Sequence, residues 1–207
     1  SLAGMFFILT MYLYLKARTS ASWRRASLFY AMCFVGFLLA MGSKENAAML
    51  PVVIFLYEAL LIQDDPTLFL RKNLTLMAVV LGCTLLLGIG YLYFTGGNVF
   101  SFLEGYETTR PFSLGQRLLT EPRVVLFYIS LLIYPITSRL NIAHSFELSG
   151  SLFDPITTLL CILVILILIA FALYLARKRP LLSFCVLFFF LNHVIESSIF
   201  PLEIAYE

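Results

Sequence analysis

The sequence predicts an all-α fold, a polytopic bundle of transmembrane helices, on three observations. Of its 207 residues 61% are hydrophobic and only 13% are charged, against about 45–50% and about 25% in a soluble domain. The mean hydropathy is +0.95. The apolar residues fall into runs close to the roughly 20 residues that a helix needs to cross a bilayer core about 30 Å thick. A chain this short cannot hide so much apolar surface by folding on itself in water. That excludes an ordinary soluble enzyme, a disordered chain and a disulfide-stapled secreted module. A formal charge of +2, with no basic stripe, argues against nucleic-acid binding. Cys33, Cys83, Cys161 and Cys185 lie inside apolar runs with no CxxC pair or metal-ligand spacing, so they read as small buried hydrophobes.

Taken in order, about six spans are expected within a single transmembrane domain, 1–207. The chain opens inside an apolar run, 1–15, without a signal-peptide pattern. This reads as a truncated span in a piece of a larger protein. Segments 26–42 and 47–62 are separated only by Ser43-Lys44-Glu45-Asn46 and suggest a tight helical hairpin, with Gly36 and Gly42 allowing close approach. Segments 74–95, 156–176 and 181–200 are long enough to cross. Segment 123–137 has an apolar core of 14 residues, from Val124 to Thr137, and contains Pro135. It suits a re-entrant or short helix better than a full span.

Charge sets the expected topology. If 123–137 does not cross and 16–25 is cytoplasmic, nine Lys and Arg lie inside (Lys16, Arg18, Arg24, Arg25, Arg71, Lys72, Arg177, Lys178, Arg179). Five then lie outside: Lys44, Arg110, Arg117, Arg123 and Arg139. If it crosses, the split is seven and seven, and the positive-inside rule prefers the first arrangement. The turn at 43–46, the external segment 96–155 and the end of the last helix then share the non-cytoplasmic side. Within 96–122, Thr95-Gly96-Gly97-Asn98 signals a turn. Ser113-Leu114-Gly115-Gln116 fits the capping box of a helix over about 114–120, expected to lie in the membrane interface. Thr120-Glu121-Pro122 reads as the start of the next helix.

Polar residues among the apolar runs are the functional candidates. Lys44 and Glu45 occupy the hairpin turn, where charged groups reach water cheaply. Either they form a solvated turn, or the Lys44 ammonium binds a phosphate at the membrane surface. Glu58 is expected to pair with Arg71 or Lys72 or to snorkel. Asn192 and His193 stand four and three residues before Glu196, so all three can share one helix face. They either lock helices together or form a polar site. His and carboxylates are metal-competent, but His-x-x-Glu alone assigns no metal, and no metal-ligating residue is named. Arg110, Arg117 and Arg123 fall within 14 residues and could grip phosphate by bidentate hydrogen bonds. His144 reads as a solvated loop residue. Asn73-Leu74-Thr75 matches a glycosylation acceptor but falls at the expected cytoplasmic edge. Gly88-Ile89-Gly90 is too short and apolar for a nucleotide loop.

Three blocks carry a resemblance. Leu39-Ala40-Met41-Gly42-Ser43-Lys44-Glu45-Asn46-Ala47-Ala48-Met49-Leu50-Pro51, ending in Leu56-Tyr57-Glu58, resembles the Ser-Lys-Glu hairpin of multi-spanning GT-C-type glycosyltransferases. Residues 110–123, Arg110-Pro111-Phe112 through Glu121-Pro122-Arg123, resemble a second block of these proteins and form the most specific match. Asn192-His193-Val194-Ile195-Glu196-Ser197-Ser198-Ile199-Phe200-Pro201-Leu202-Glu203 is similar to a third. The nearest likeness is to bacterial inner-membrane proteins with a GT-C-like domain and C-terminal tetratricopeptide repeats, related to the transmembrane, repeat-containing O-mannosyltransferases.

The resemblance implies transfer of a sugar from a polyprenyl-phosphate donor to a protein or glycan acceptor on the non-cytoplasmic face. Lys44, Arg110, Arg117 and Arg123 would contact the donor phosphate, with Glu45, Asn192, His193 and Glu196 as an orienting polar cluster. The catalytic acid of such enzymes lies in a first external loop, expected upstream of Ser1, so no residue here is assigned as the base. Charge developing on the leaving phosphate would be stabilised by fixed cations. A base deprotonates the acceptor or a divalent metal assists, and the cofactor is left open. The alternatives are an oligosaccharide polymerase or ligase, and a non-catalytic scaffold or transporter-like subunit. A transporter would favour midplane polar residues and paired repeats, whereas this chain shows no internal repeat.

Overall fold

The computed structural model describes residues 1–63, 65–73, 113–139 and 146–196, together with the isolated helical positions 75, 78, 82, 86 and 90. All regular structure among the described residues is helical. Among the described residues two helices are long and apolar enough to cross a membrane, Trp23–Ser43 and Thr157–Leu175, and two shorter apolar stretches are Asn46–Ile62 and Pro180–Val194. The chain forms two compact units, Ser1–Gly88 and Ile89–Glu207.

In the first unit α1 (Leu2–Arg18) and α2 (Trp23–Ser43) form an antiparallel pair, the most extensive helix contact in the unit. The buried residues repeat with the same spacing on each helix: Thr10, Leu13 and Ala17 on α1, Cys33, Gly36 and Ala40 on α2. That i, i+3, i+7 spacing gathers one stripe on each helix, and the α2 stripe is small, so the backbones come close. A β-carbon at Gly36 would stand 2.6 Å from Thr10 Oγ1, whereas one at Gly42 meets nothing within 4 Å. The Thr10 hydroxyl is held by Phe6 O at 2.7 Å. The close packing expected across 43–46 is thus found between α1 and α2, and Gly36 alone of the two glycines serves it.

After Ser43 the backbone at Lys44 turns extended, with φ −162° and ψ 138°. A 3-10 turn, Glu45–Met49, leads into α3 (Leu50–Tyr57), with Pro51 in its first turn, where the missing N–H costs nothing. The helix then widens into one π turn, Glu58–Ile62, closed by Gln63 N donating to Glu58 O at 3.1 Å. Pro66–Lys72 forms α4.

The second unit contains α5 (Leu114–Ile133), α6 (Thr157–Leu175) and α7 (Pro180–Glu196). The capping box forms as expected: Gln116 N donates to Ser113 Oγ at 3.3 Å and Ser113 N to Gln116 Oε1 at 3.0 Å. The expected break between a helix at about 114–120 and a separate short helix at 123–137 is corrected, because 114–133 form the continuous α5, which runs through Pro122. Its buried face, Arg117, Thr120, Glu121, Val124 and Val125, is unbroken across the proline. Packing along that face outweighs the roughly 3 kcal/mol that an interior proline costs. Twenty residues make α5, a length of about 30 Å. It ends at Ile133, with Tyr134 outside helical geometry, because the residue before Pro135 is driven from the α region. The expected span 74–95 and the segment 96–112 lie largely outside the described residues.

Both units expose large apolar side chains that a water-soluble protein would bury, and bury polar groups beside their apolar cores. Leu28, Phe34, Val35 and Leu38 on α2, and Leu160, Leu166, Ile167 and Phe171 on α6, are exposed, while Thr10, Glu58, Arg117, Thr120, Glu121, Ser149, Thr158 and Ser183 are buried.

The α1–α2 contact makes a direct prediction. Gly36→Val overpacks against Thr10 at a cost of about 1–3 kcal/mol and lowers the thermal midpoint of the detergent-solubilised protein. Adding Thr10→Ala restores part of the loss, and Gly42→Ala, in open space, does not destabilise. Equal midpoints for Gly36→Val and wild type would contradict the close contact.

Candidate functional site

The second unit's site grows from the buried face of α5. Arg117 and Glu121 lie one turn apart, and Arg117 Nε approaches Glu121 Oε1 at 3.3 Å with the side chains 3% and 7% exposed. One turn's hydroxyl continues the polar line: Thr120 Oγ1 donates to Gln116 O at 2.7 Å and accepts from Ser149 N at 2.9 Å. Ser149 Oγ in turn meets Thr158 Oγ1, at the start of α6, at 2.7 Å. Arg123 Nη1 donates to Glu147 O at 2.8 Å and lies 3.4 Å from Ser149 Oγ. The segment at 147–149 is thereby laced to α5 and α6, by buried hydrogen bonds at Ser149 and by an exposed one at Glu147 O. The Ser149 N–H and hydroxyl would otherwise pay a desolvation penalty in their buried surround.

Of the third block, residues 192–196 lie on α7. Asn192 Nδ2 donates to Phe188 O at 2.8 Å, and His193 Nδ1 lies 2.9 Å from Phe189 O. Both side chains therefore bond the preceding turn of their own helix. The His193 ring stacks on Phe189 with centroids 4.1 Å apart and faces Tyr128 of α5 at 6.1 Å. Glu196 ends α7, and its side chain lies outside the described residues, as do Arg110 and His144.

Lys44 and Glu45 belong to the first unit. Lys44 is exposed at the turn after α2, and the side chain of Glu45 lies outside the described residues. Arg117, Arg123, Asn192 and His193 belong to the second unit. Arg117 and Arg123 are engaged with protein groups of their own unit, through Glu121 and Glu147 O respectively.

Glu58 has a different partner from the one expected. Arg18, not Arg71 or Lys72, holds it: Nη2 and Nε reach Oε1 at 2.8 and 3.1 Å. Tyr14 Oη donates to Oε2 at 2.8 Å, and Gln63 Nε2 to Oε1 at 2.6 Å. Tyr14 and Arg18 are one turn apart on α1, so a single helix face presents both donors. The carboxylate closes the first unit by tying α1 to the π turn. That i, i+4 pair was a signal available in the sequence. The Thr120–Ser149–Thr158 hydroxyl line, by contrast, has no local pattern that could have revealed it.

Among the described residues no three His, Cys, Asp or Glu side chains converge to hold a metal ion. No protein-family model, curated protein or solved structure matches this chain.

The buried ion pair predicts an asymmetric response. Arg117→Met strips Glu121 of its arginine and costs about 3–5 kcal/mol, whereas Arg117→Met with Glu121→Leu recovers most of the loss. Thermal melting of the four proteins in one detergent checks this double-mutant cycle. Strictly additive losses would rule out the coupling.

Proposed function

We propose that this chain is part of a polytopic integral-membrane protein, with about six spans, that transfers a sugar from a polyprenyl-phosphate donor to a protein or glycan acceptor on the non-cytoplasmic face. The exposed apolar side chains of both units carry the membrane part. Helices with leucine, isoleucine and phenylalanine outside and polar groups that are mostly hydrogen-bonded inside suit a hydrocarbon solvent, where a polar atom must find its partner internally. If α5 does not cross the bilayer, the nine-to-five split of Lys and Arg supports the orientation. The glycosyltransferase part rests on the three sequence blocks and their likeness to GT-C-type enzymes of the bacterial inner membrane.

The chemistry asked of this chain is modest. The prenyl tail partitions into lipid, and a cation at the membrane edge receives the phosphate. Lys44 suits that task, standing exposed where α2 ends. Its ammonium is a compact charge with three donors, able to stabilise negative charge as the lipid phosphate departs. Arg117 is already neutralised by Glu121, so its contribution to phosphate binding requires exchange of one anion for another. This pairing, with that of Arg123, favours a second reading, in which the second unit is a non-catalytic scaffold.

A transfer assay separates the two. The full-length protein is reconstituted with a short-chain prenyl-phosphate mannose or glucose, and insertion is scored separately from product. Lys44→Ala is expected to insert normally and to lose about a hundredfold in transfer, as loss of a charge-stabilising group does. Undiminished transfer by the inserted variant removes Lys44 from phosphate binding. Absence of transfer by the wild type with either sugar favours the scaffold.

A further inference from the structure

We propose that the turn joining α1 to α2 is a docking site for the phosphate headgroups of anionic phospholipids. The proposal rests on the membrane reading above and adds a lipid preference to it. Lys16, Arg24 and Arg25 are all exposed around this turn, and Trp23 between them is 83% exposed. The first 44 residues contain no Asp or Glu. Among the described residues the carboxylate that reaches this end of α1 is Glu58, already committed to Arg18, Tyr14 and Gln63. Asp65 caps the next helix by accepting from Leu68 N. Lys16, Arg24 and Arg25 form no ion pair among the described residues, and Lys16 Nζ rests 5.5 Å from the Tyr12 ring centroid.

The local backbone does not set the sign of the site. The C-terminus of α1 and the N-terminus of α2 meet at the turn, and their opposite dipole ends offset one another. The last carbonyls of α1 are further satisfied by hydroxyls, Thr19 Oγ1 to Leu15 O at 2.9 Å and Ser20 Oγ to Lys16 O at 2.6 Å. The side-chain cations therefore decide the field. Immediately beyond them the outward faces of both helices are apolar, with Ile8, Leu9 and Tyr12 on α1 and Leu28 and Met32 on α2 exposed. Cations and an indole at the end of an apolar helical pair match the headgroup layer over acyl chains. Negative headgroups complement this edge, whereas zwitterionic ones offer no net charge.

Trp23 is the sole tryptophan of the chain, so its fluorescence reports on this turn. The full chain is reconstituted in vesicles carrying equal fractions of brominated phosphatidylglycerol or brominated phosphatidylcholine in an otherwise identical mixture. Stronger quenching by the anionic bromolipid is expected, shrinking as salt is raised. The preference should fall roughly fivefold for each cation removed, so Lys16→Gln/Arg24→Gln/Arg25→Gln should quench equally with both. Equal quenching of the wild type by both lipids overturns the lipid preference and leaves the membrane reading intact. Excess anionic quenching that survives in the triple variant also overturns it, since other groups would then carry it. No quenching by either lipid places the turn away from the bilayer and overturns both readings.

Discussion

Everything in this chain follows from where its polar atoms find partners. The helices expose long aliphatic and aromatic side chains, and most of the buried hydroxyl, carboxylate and guanidinium groups among the described residues are answered by other protein groups, Ser183 Oγ being an exception. In water the exposed Leu, Ile and Phe of α6 would each forfeit roughly 1.5–3 kcal/mol of burial. In hydrocarbon that penalty vanishes, and the constraint passes to the polar groups, which then have no solvent to fall back on. The Arg117–Glu121 pair, the Thr120–Ser149–Thr158 line and the Glu58 node are solutions to that constraint. They also decide which loops and helices are held together.

The two units meet the constraint differently. In the first, small residues bring α1 and α2 close, with Thr10 beneath Gly36, and one carboxylate collects donors from α1 and from the residue after the π turn. In the second, a helix with charged groups on its buried face binds the non-helical segment 147–149 by side chain to main chain bonds. An arginine that bonds a carbonyl and another that bonds a buried carboxylate are structural groups first. Any use of them in binding an anion must compete with those bonds.

Much of the helical layout was legible because length and composition speak together. Segments 26–42 and 156–176 emerge as Trp23–Ser43 and Thr157–Leu175, and the Ser113–Gln116 cap follows from local chemistry, whereas the expected segment 123–137 ran past Pro135 and the helix stops at Ile133. Pro122 misled because a proline after Thr-Glu is, in isolation, a good helix start. The continuous buried face that carries α5 through it is a tertiary property. Glu58 was matched to Arg71 and Lys72 by proximity in sequence, while its partner stands 40 residues away. Of the candidate site, the residues of interest were recognised by their polarity within apolar runs. Their bonding was not legible, since Asn192 and His193 turn back to their own helix and Arg123 reaches a loop carbonyl.

The central claim is that hydrocarbon covers the exposed face of α6 that carries Leu160, Leu163, Ile167 and Phe171. Nitroxide labels at Leu160, Leu163, Ile167 and Phe171 in the reconstituted protein test it through collision rates with dissolved oxygen and with a water-soluble nickel chelate. The account predicts that oxygen collisions dominate at all four sites. Dominance of the nickel chelate at Leu163 and Ile167 would place this helix in water and contradict it.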